Sequence, residues 1–195
     1  DVLKDEFNGE ATASKLARVR EQMENEDAQY HIISTLDDIA WILNVRGNDI
    51  PHVPVVLSFL VIGKEDAMWF VEENALSDAV KEMAAECGIT IRPYEDVYAY
   101  AATIPEHSTV LLDKRKVNYR ITKALSETVH IVSKANPSQL MKAIKNEIEL
   151  ENTRKAHLLD GIAVTKFMYW LKKNVGKIPM DEVSVSDYLQ SLREQ

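Results

Sequence analysis

The run VPVVLSFLVIG, Val53 to Gly63, is apolar at successive positions and not at alternate ones. Side chains alternate between the two faces of a strand, so a strand that is apolar on both must be covered on both. That requirement excludes a sheet with one face open to water and calls for helices above and below. The rest of the first two thirds supplies them. ATASKLARVREQMENED places Leu16, Val19 and Met23 on one stripe of an amphipathic helix, and TLDDIAWILN and SDAVKEMAAECG read as two more. Ser77 stands where an N-cap would, and Gly88 where a helix stops. AQYHII, AMWFVE, ITIRPYE, STVLLDK and VHIVSK read as strands, with helical VYAYAATI and NYRITKALSE between the last three. AMWFVE follows Gly63-Lys64-Glu65-Asp66 as a hairpin partner of the apolar run. The expectation is an α/β domain with a mixed sheet flanked by helices.

After Asn136-Pro137 the β signal disappears. Leu159, Ile162, Ala163, Phe167, Trp170 and Leu171 make one broad apolar helical face, and Glu151 and Lys155 an i, i+4 pair on the other side. VGKIP breaks that helix and DEVSVSDYLQSLREQ starts another, which reaches Gln195 without a terminator. A boundary inside a longer protein is therefore expected at the C-terminal end. The division expected is a linker over 1–8, a first domain over 9–135 and a helical segment over 136–195.

A net charge of -8 argues against a nucleic-acid or anionic-membrane partner, since phosphate binding needs clustered Lys and Arg. No apolar run approaches the roughly 18 residues of a membrane span. DVLKDEFNGE lacks the apolar core of a signal peptide, and the single Cys87 allows neither an intrachain disulfide nor a cysteine metal site. A cytoplasmic protein with a structural, half-buried thiol is expected.

The search for chemistry starts with five histidines, His31, His52, His107, His130 and His157, in no metal-binding spacing. His31 and His130 fall inside strand-like runs and read as packing residues with one hydrogen bond each. His157 and Asp160, three apart on a helix, read as a surface ion pair. Asp181, Glu182 and Asp187 read as charges at a helix start, as do Asp37 and Asp38 with Ser34 or Thr35 as the cap. No phosphate loop and no nucleophile elbow is present. What remains is the loop between TLDDIAWILN and the apolar run. Asn44, Arg46, Asn48, Asp49 and His52 put five polar groups within nine residues. Arg46 could clamp a carboxylate and His52 exchange protons near neutral pH. The competing reading is a connection: Gly47 in a left-handed turn, Asp49 capping a bend, Pro51 and Pro54 stiffening the approach to the strand.

LDDIAWILNVRGNDIPHVPVVLSFLVI resembles the Xaa-Pro aminopeptidase pattern L-D-[DE]-I-A-W-L-x-N-x-R-G-x-D-[IV]-x-x-x-P-V. AIKNEIELENTRKAHLLDGIAVTKFMYWL resembles the helix that opens the catalytic domain of the same family. The resemblance runs from about Ala11 to Gln195, in order. It implies a creatinase/prolidase N-terminal-like domain followed by the first helices of a truncated pita-bread domain, with a further domain ahead of both. It implies a parent hydrolase that releases the residue before a penultimate proline, using two divalent metals, manganese, held by two Asp, one His and two Glu downstream. Residues His157 and Asp160 match structural positions, so this chain alone is expected to be inactive and to hold no cofactor. The resemblance places Asn44 to Pro54 on the side facing the active site, with Arg46, Asp49 and His52 lining the approach of proline-containing peptides. It implies a homodimer for the full-length enzyme. An Xaa-Pro dipeptidase, and a peptidase-like binding module without catalysis, are the alternatives.

Overall fold

A computed structural model describes residues 1–195, which form two compact units, Asp1–Lys145 and Asn146–Gln195. The first contains helices α1 (Asp5–Asn8), α2 (Thr12–Asn25), α3 (Leu36–Ile42), α4 (Asp78–Glu86), α5 (Asp96–Ala102), α6 (Tyr119–Ala124) and α7 (Pro137–Ala143). Its strands are β1 (Tyr30–Ile33), β2 (Ser58–Gly63), β3 (Ala67–Val71), β4 (Ile89–Arg92), β5 (Thr109–Leu112) and β6 (His130–Ser133). They make one six-stranded sheet in the order β4-β3-β2-β1-β5-β6. The pairs β1–β2 and β2–β3 are antiparallel and the other three parallel, so the sheet is mixed.

Strand β2 is buried at all six positions, as its two-sided apolar pattern demands. Its alternate residues feed two cores. Leu60 and Ile62 pack with Leu16, Val19 and Met23 of α2, Ile39 and Ile42 of α3, and Val80 and Ala84 of α4. Phe59 and Val61 pack with Val97 and Ala101 of α5 and Ile121 of α6. The result is a three-layer α/β/α unit. The extended run is shorter than its apolar pattern: Val53 to Leu57 lie outside β2, because Pro54 and the loop before it prevent pairing there.

The compact unit runs to Lys145 and takes in α7, whose first turn holds Pro137. A buried polar cluster fastens that helix. Asn136 Nδ2 donates to Asp38 Oδ2 at 3.0 Å and to Thr35 Oγ1 at 2.9 Å, and Lys142 Nζ donates to Asp38 Oδ1 at 2.7 Å and also to Asp37. Burial alone would raise the Asp38 carboxyl, but the bonds from Lys142, Thr35 and Asn136 outweigh it and hold the group below the usual carboxylate range. Asp38 is thus a buried anchor for α7 and not merely a charge at a helix start; Thr35 takes the N-cap position of α3 without a side-chain capping bond and donates instead to Asp38. Residues 1–8 contact the rest of the unit: Val2 bridges Val45, and Asn8 is buried with Nδ2 donating to Leu3 O at 2.8 Å.

His31 is fully buried on β1, its Nδ1 3.0 Å from Leu111 O. His130 is exposed, contrary to expectation, because β6 is the edge of the sheet. Cys87 is half-buried, and burial raises its thiol above the ordinary value, so it is a poor nucleophile.

The second unit is the pair α8 (Glu147–Asn174) and α9 (Glu182–Arg193). Both begin with reciprocal capping boxes, Asn146 with Glu149 and Asp181 with Ser184. Trp170 packs on Tyr188 with ring centroids 4.0 Å apart. Glu151 pairs with Lys155 at 2.7 Å as expected, whereas Asp160 pairs with Arg193 of α9 at 2.7 Å and not with His157, because the neighbouring helix brings a guanidinium within reach.

Candidate functional site

The segment between α3 and β2 starts from a fixed base. Asn44 adopts a positive φ of 53° as the chain leaves α3. Its Oδ1 accepts from the buried Lys15 Nζ at 2.6 Å and its Nδ2 donates to Glu10 O at 2.8 Å. Lys15 also donates to Trp41 O at 3.0 Å and lies 4.3 Å above the Trp41 ring, so a desolvated ammonium spends its hydrogen bonds holding the end of α3. Among the five polar loop residues, Asn44 is therefore structural.

Arg46 directs Nη1 at Ala40 O (3.1 Å) and Val45 O (2.9 Å), so part of its fork is committed to carbonyls at the end of α3. Gly47 is required by close approach and not by a left-handed turn. A Cβ there would meet Val56 Cγ2 at 2.5 Å and Val55 O at 2.9 Å. Asp49 Oδ2 accepts the Leu57 N–H at 2.8 Å, closing the loop back onto the segment that leads into β2. A second left-handed residue is His52, with φ 64°, exposed near the tip of the loop.

Between this loop, β3 and the start of α4 lies a cleft of about 450 Å³. Arg46, Gly47, Asn48 and Asp49 form one wall, Trp69 and Val56 another, and Leu76, Ser77 and Val80 a third. The structure thus brings Arg46 and Asp49 to one cleft and leaves His52 off its lining. Sequence reasoning missed Trp69: inside an apolar strand it has the look of any core aromatic, and only the sheet order places it beside the loop. No three or more His, Cys, Asp or Glu side chains lie together in a way that could hold a metal ion.

Fold and cleft together define a mixed-sheet α/β/α domain whose polar loop, between α3 and β2, shares a cleft with Trp69 of β3 and the start of α4. The chain belongs to the creatinase/prolidase N-terminal domain family, whose description fits residues 1–149. A probable Xaa-Pro aminopeptidase P of Neurospora crassa is 34% identical over 97% of this chain, and Xaa-Pro aminopeptidase 1 of Dictyostelium discoideum 35% identical over 99%. The chain spans only 29% and 31% of those proteins. Among solved structures, an X-prolyl aminopeptidase of Caenorhabditis elegans, described as a cytosolic enzyme with a di-nuclear active site, superposes with TM-score 0.88 at 27% identity. It covers all of this chain, which is 32% of the enzyme. An Xaa-Pro dipeptidase of Bacillus anthracis shares the fold at TM-score 0.68 and 13% identity. No helix here is long and apolar enough to cross a membrane.

Proposed function

We propose that this chain is the access-shaping part of a larger metal-dependent Xaa-Pro aminopeptidase and that bond cleavage takes place in sequence outside it. The observation that carries this reading is the match, at 34% and 35% identity over nearly the whole chain, to proteins named for that activity. In this division of labour these residues select and others cleave. Residues 1–8 then lead into a first domain at 9–135, and 136–195 open the catalytic domain. Arg46 and Asp49, on the wall of a cleft, and His52, at the loop tip, line the approach of proline-containing peptides. In the full-length enzyme two manganese ions, a homodimer and a cytosolic location complete the reading.

The test uses the full-length peptidase and Arg46→Ala. Loss of a guanidinium that meets substrate lowers kcat/KM on X-Pro-Y peptides about tenfold, a change of roughly 1–2 kcal/mol. Because Nη1 also serves two backbone carbonyls, the urea midpoint is read in parallel. A lowered midpoint with unchanged kinetics assigns Arg46 to the scaffold alone and removes it from the substrate path. Product analysis on X-Pro against X-Pro-Y separates aminopeptidase from dipeptidase, and turnover of neither identifies a binding module.

A further inference from the structure

Strand β6 ends the sheet on one side, and its outer edge has no partner strand. Toward β5, His130 N–H donates to Ser108 O at 2.9 Å and Lys134 N–H to Leu112 O at 3.2 Å. The N–H and C=O of one residue point to the same side of a strand and alternate along it. Those of Ile131 and Ser133 therefore face away from β5. Edges of this kind are ordinarily guarded by charges on the strand itself. Strand β6 reads HIVS, with no lysine or carboxylate, and Lys134 just beyond it is tied to Glu26 at 2.6 Å. The edge is open.

Beside that edge the chain gathers positive charge. Residues 113–123 hold five cations against one carboxylate, in a protein whose net charge is -8. Arg115 is taken by Asp113 at 2.8 Å, and Arg120 lies over the Tyr98 ring and 3.7 Å from Glu95. Lys114, Lys116 and Lys123 are exposed and have no acidic partner. Two of these lysines border the outward-facing residues. Lys114 N–H donates to Ser133 Oγ at 3.4 Å. Lys114 and Lys123 line a cleft of about 390 Å³ together with Ile131, Val117, Tyr119 and Thr122. Backbone groups for a ladder and cations for side chains thus meet at one place.

Charge selects the occupant. A second copy pairing edge to edge would set one group of unpaired lysines beside another. A nucleic acid is disfavoured by the net charge of -8 and has no alternating N–H and C=O groups to continue the ladder. An extended peptide supplies that ladder, and carboxylates at its alternate positions share one face, toward Lys114 and Lys123. We propose that the β6 edge docks an extended acidic segment of a partner protein, added as a seventh strand with its carboxylates in the cleft lined by Lys114 and Lys123.

Titration of the 15N-labelled 195-residue chain with N-acetyl-Glu-Val-Glu-Val-Glu-Val amide tests it. The backbone amides of Ile131 and Ser133 shift saturably and exchange with solvent more slowly in the complex. The basic counterpart, with Lys in place of each Glu, binds at least about tenfold more weakly. The double variant Lys114→Glu, Lys123→Glu, changed only at exposed positions, weakens the acidic peptide by a similar factor. An added strand turns alternate amides toward its neighbour, so N-methylation of the Glu residues and of the Val residues has unequal effects, one weakening binding at least about tenfold more than the other. No saturable shift at Ile131 and Ser133 up to millimolar peptide overturns the proposal. Equal tolerance of the two methylation patterns does so too, since it means a charge contact without a ladder. Protection of these amides that grows with protein concentration alone assigns the edge to a second copy, and tighter binding of a single-stranded oligothymidylate assigns the lysines to nucleic acid. Either result also overturns it.

Discussion

The two units of this chain are stabilised in different ways. Within Asp1–Lys145 a central strand feeds two cores, and almost every fully buried apolar side chain of the protein lies there. Within Asn146–Gln195 only Ala163 is buried, while Leu158, Leu159 and Val183 are two-thirds exposed at 67%, 69% and 69%. Helices α8 and α9 are held by local devices: two capping boxes, the Glu151–Lys155 pair, the Asp160–Arg193 pair and the Trp170–Tyr188 contact. Such devices are worth roughly 0.5–2 kcal/mol each for caps and less for exposed pairs. The same kinds of apolar residue are therefore core in one unit and bare surface in the other. A stripe at helical spacing records that a face needs covering, not that the cover is within the chain.

The sharpest way to break this comparison is to truncate one leucine from each unit in a Trp170→Phe background, so that Trp41 and Trp69 report on the α/β unit. Leu60, 0% exposed at the centre of β2, loses about 2–5 kcal/mol when changed to alanine, since transfer and cavity costs add. Leu159→Ala, at 69% exposure, changes the stability of α8 and α9 by less than about 0.5 kcal/mol, followed by circular dichroism. Equal losses would mean that the Leu159 face is covered in solution.

The next effect concerns acid. Burial lowers the His31 imidazole from 6.5 to about 4 against a weaker opposing pull from the Leu111 carbonyl and Asp38. The unfolded chain takes up this proton from pH 6.5 downward and the folded one only near pH 4, so stability falls across that window as pH drops. Two and a half pH units at roughly 1.4 kcal/mol each remove about 3.5 kcal/mol from the α/β unit. Asp38, held below its ordinary value, adds to the loss at still lower pH, once its carboxylate is protonated and the bonds to Lys142 and Asn136 weaken. Urea midpoints at pH 6.5, 5.5 and 4.5 trace the curve, and His31→Gln flattens it. A slope that survives in His31→Gln moves the acid sensitivity to another group. The second unit buries no titratable side chain and supplies no comparable term.

Much of the α/β unit was legible because period and punctuation agree there. All six strands fall inside the runs expected from sequence, and Leu16, Val19 and Met23 of α2 are buried as their stripe requires. Three things were not legible, for one physical reason: each depends on how the chain folds back and not on the pattern of its local residues. Asn136-Pro137 reads locally as a break, yet Asn136 reaches back about a hundred residues to Thr35 and Asp38 and draws α7 into the unit. His130 has the composition of a packed strand position and is exposed only because β6 ends the sheet. In the loop, Arg46 and Asp49 stand out as polar groups, but their engagement with Ala40, Val45 and Leu57 comes from how the chain folds back. The polar loop was thus legible as a candidate surface, while its tie to Trp69 and α4 was not.

Two glycines give the smallest and most local version of the same contrast. Gly47 in the loop has backbone against it, since an added Cβ would lie 2.9 Å from Val55 O and 2.5 Å from Val56 Cγ2. A carbonyl cannot rotate away as a side-chain end can, so Gly47→Ala must displace the loop and costs about 1–3 kcal/mol of the α/β unit's stability. Gly161 sits inside α8 with nothing within 4 Å of its added Cβ. There alanine removes backbone freedom from the unfolded chain and meets no obstacle, so Gly161→Ala strengthens the helix by about 0.5–1 kcal/mol. The urea midpoint of the α/β unit measures the first and the helical melting curve of the second unit measures the other. Opposite signs follow if the loop is closely packed and the α8 surface open. A loss at Gly161 as large as that at Gly47 would place a packed surface over α8 and reverse the comparison of the two units.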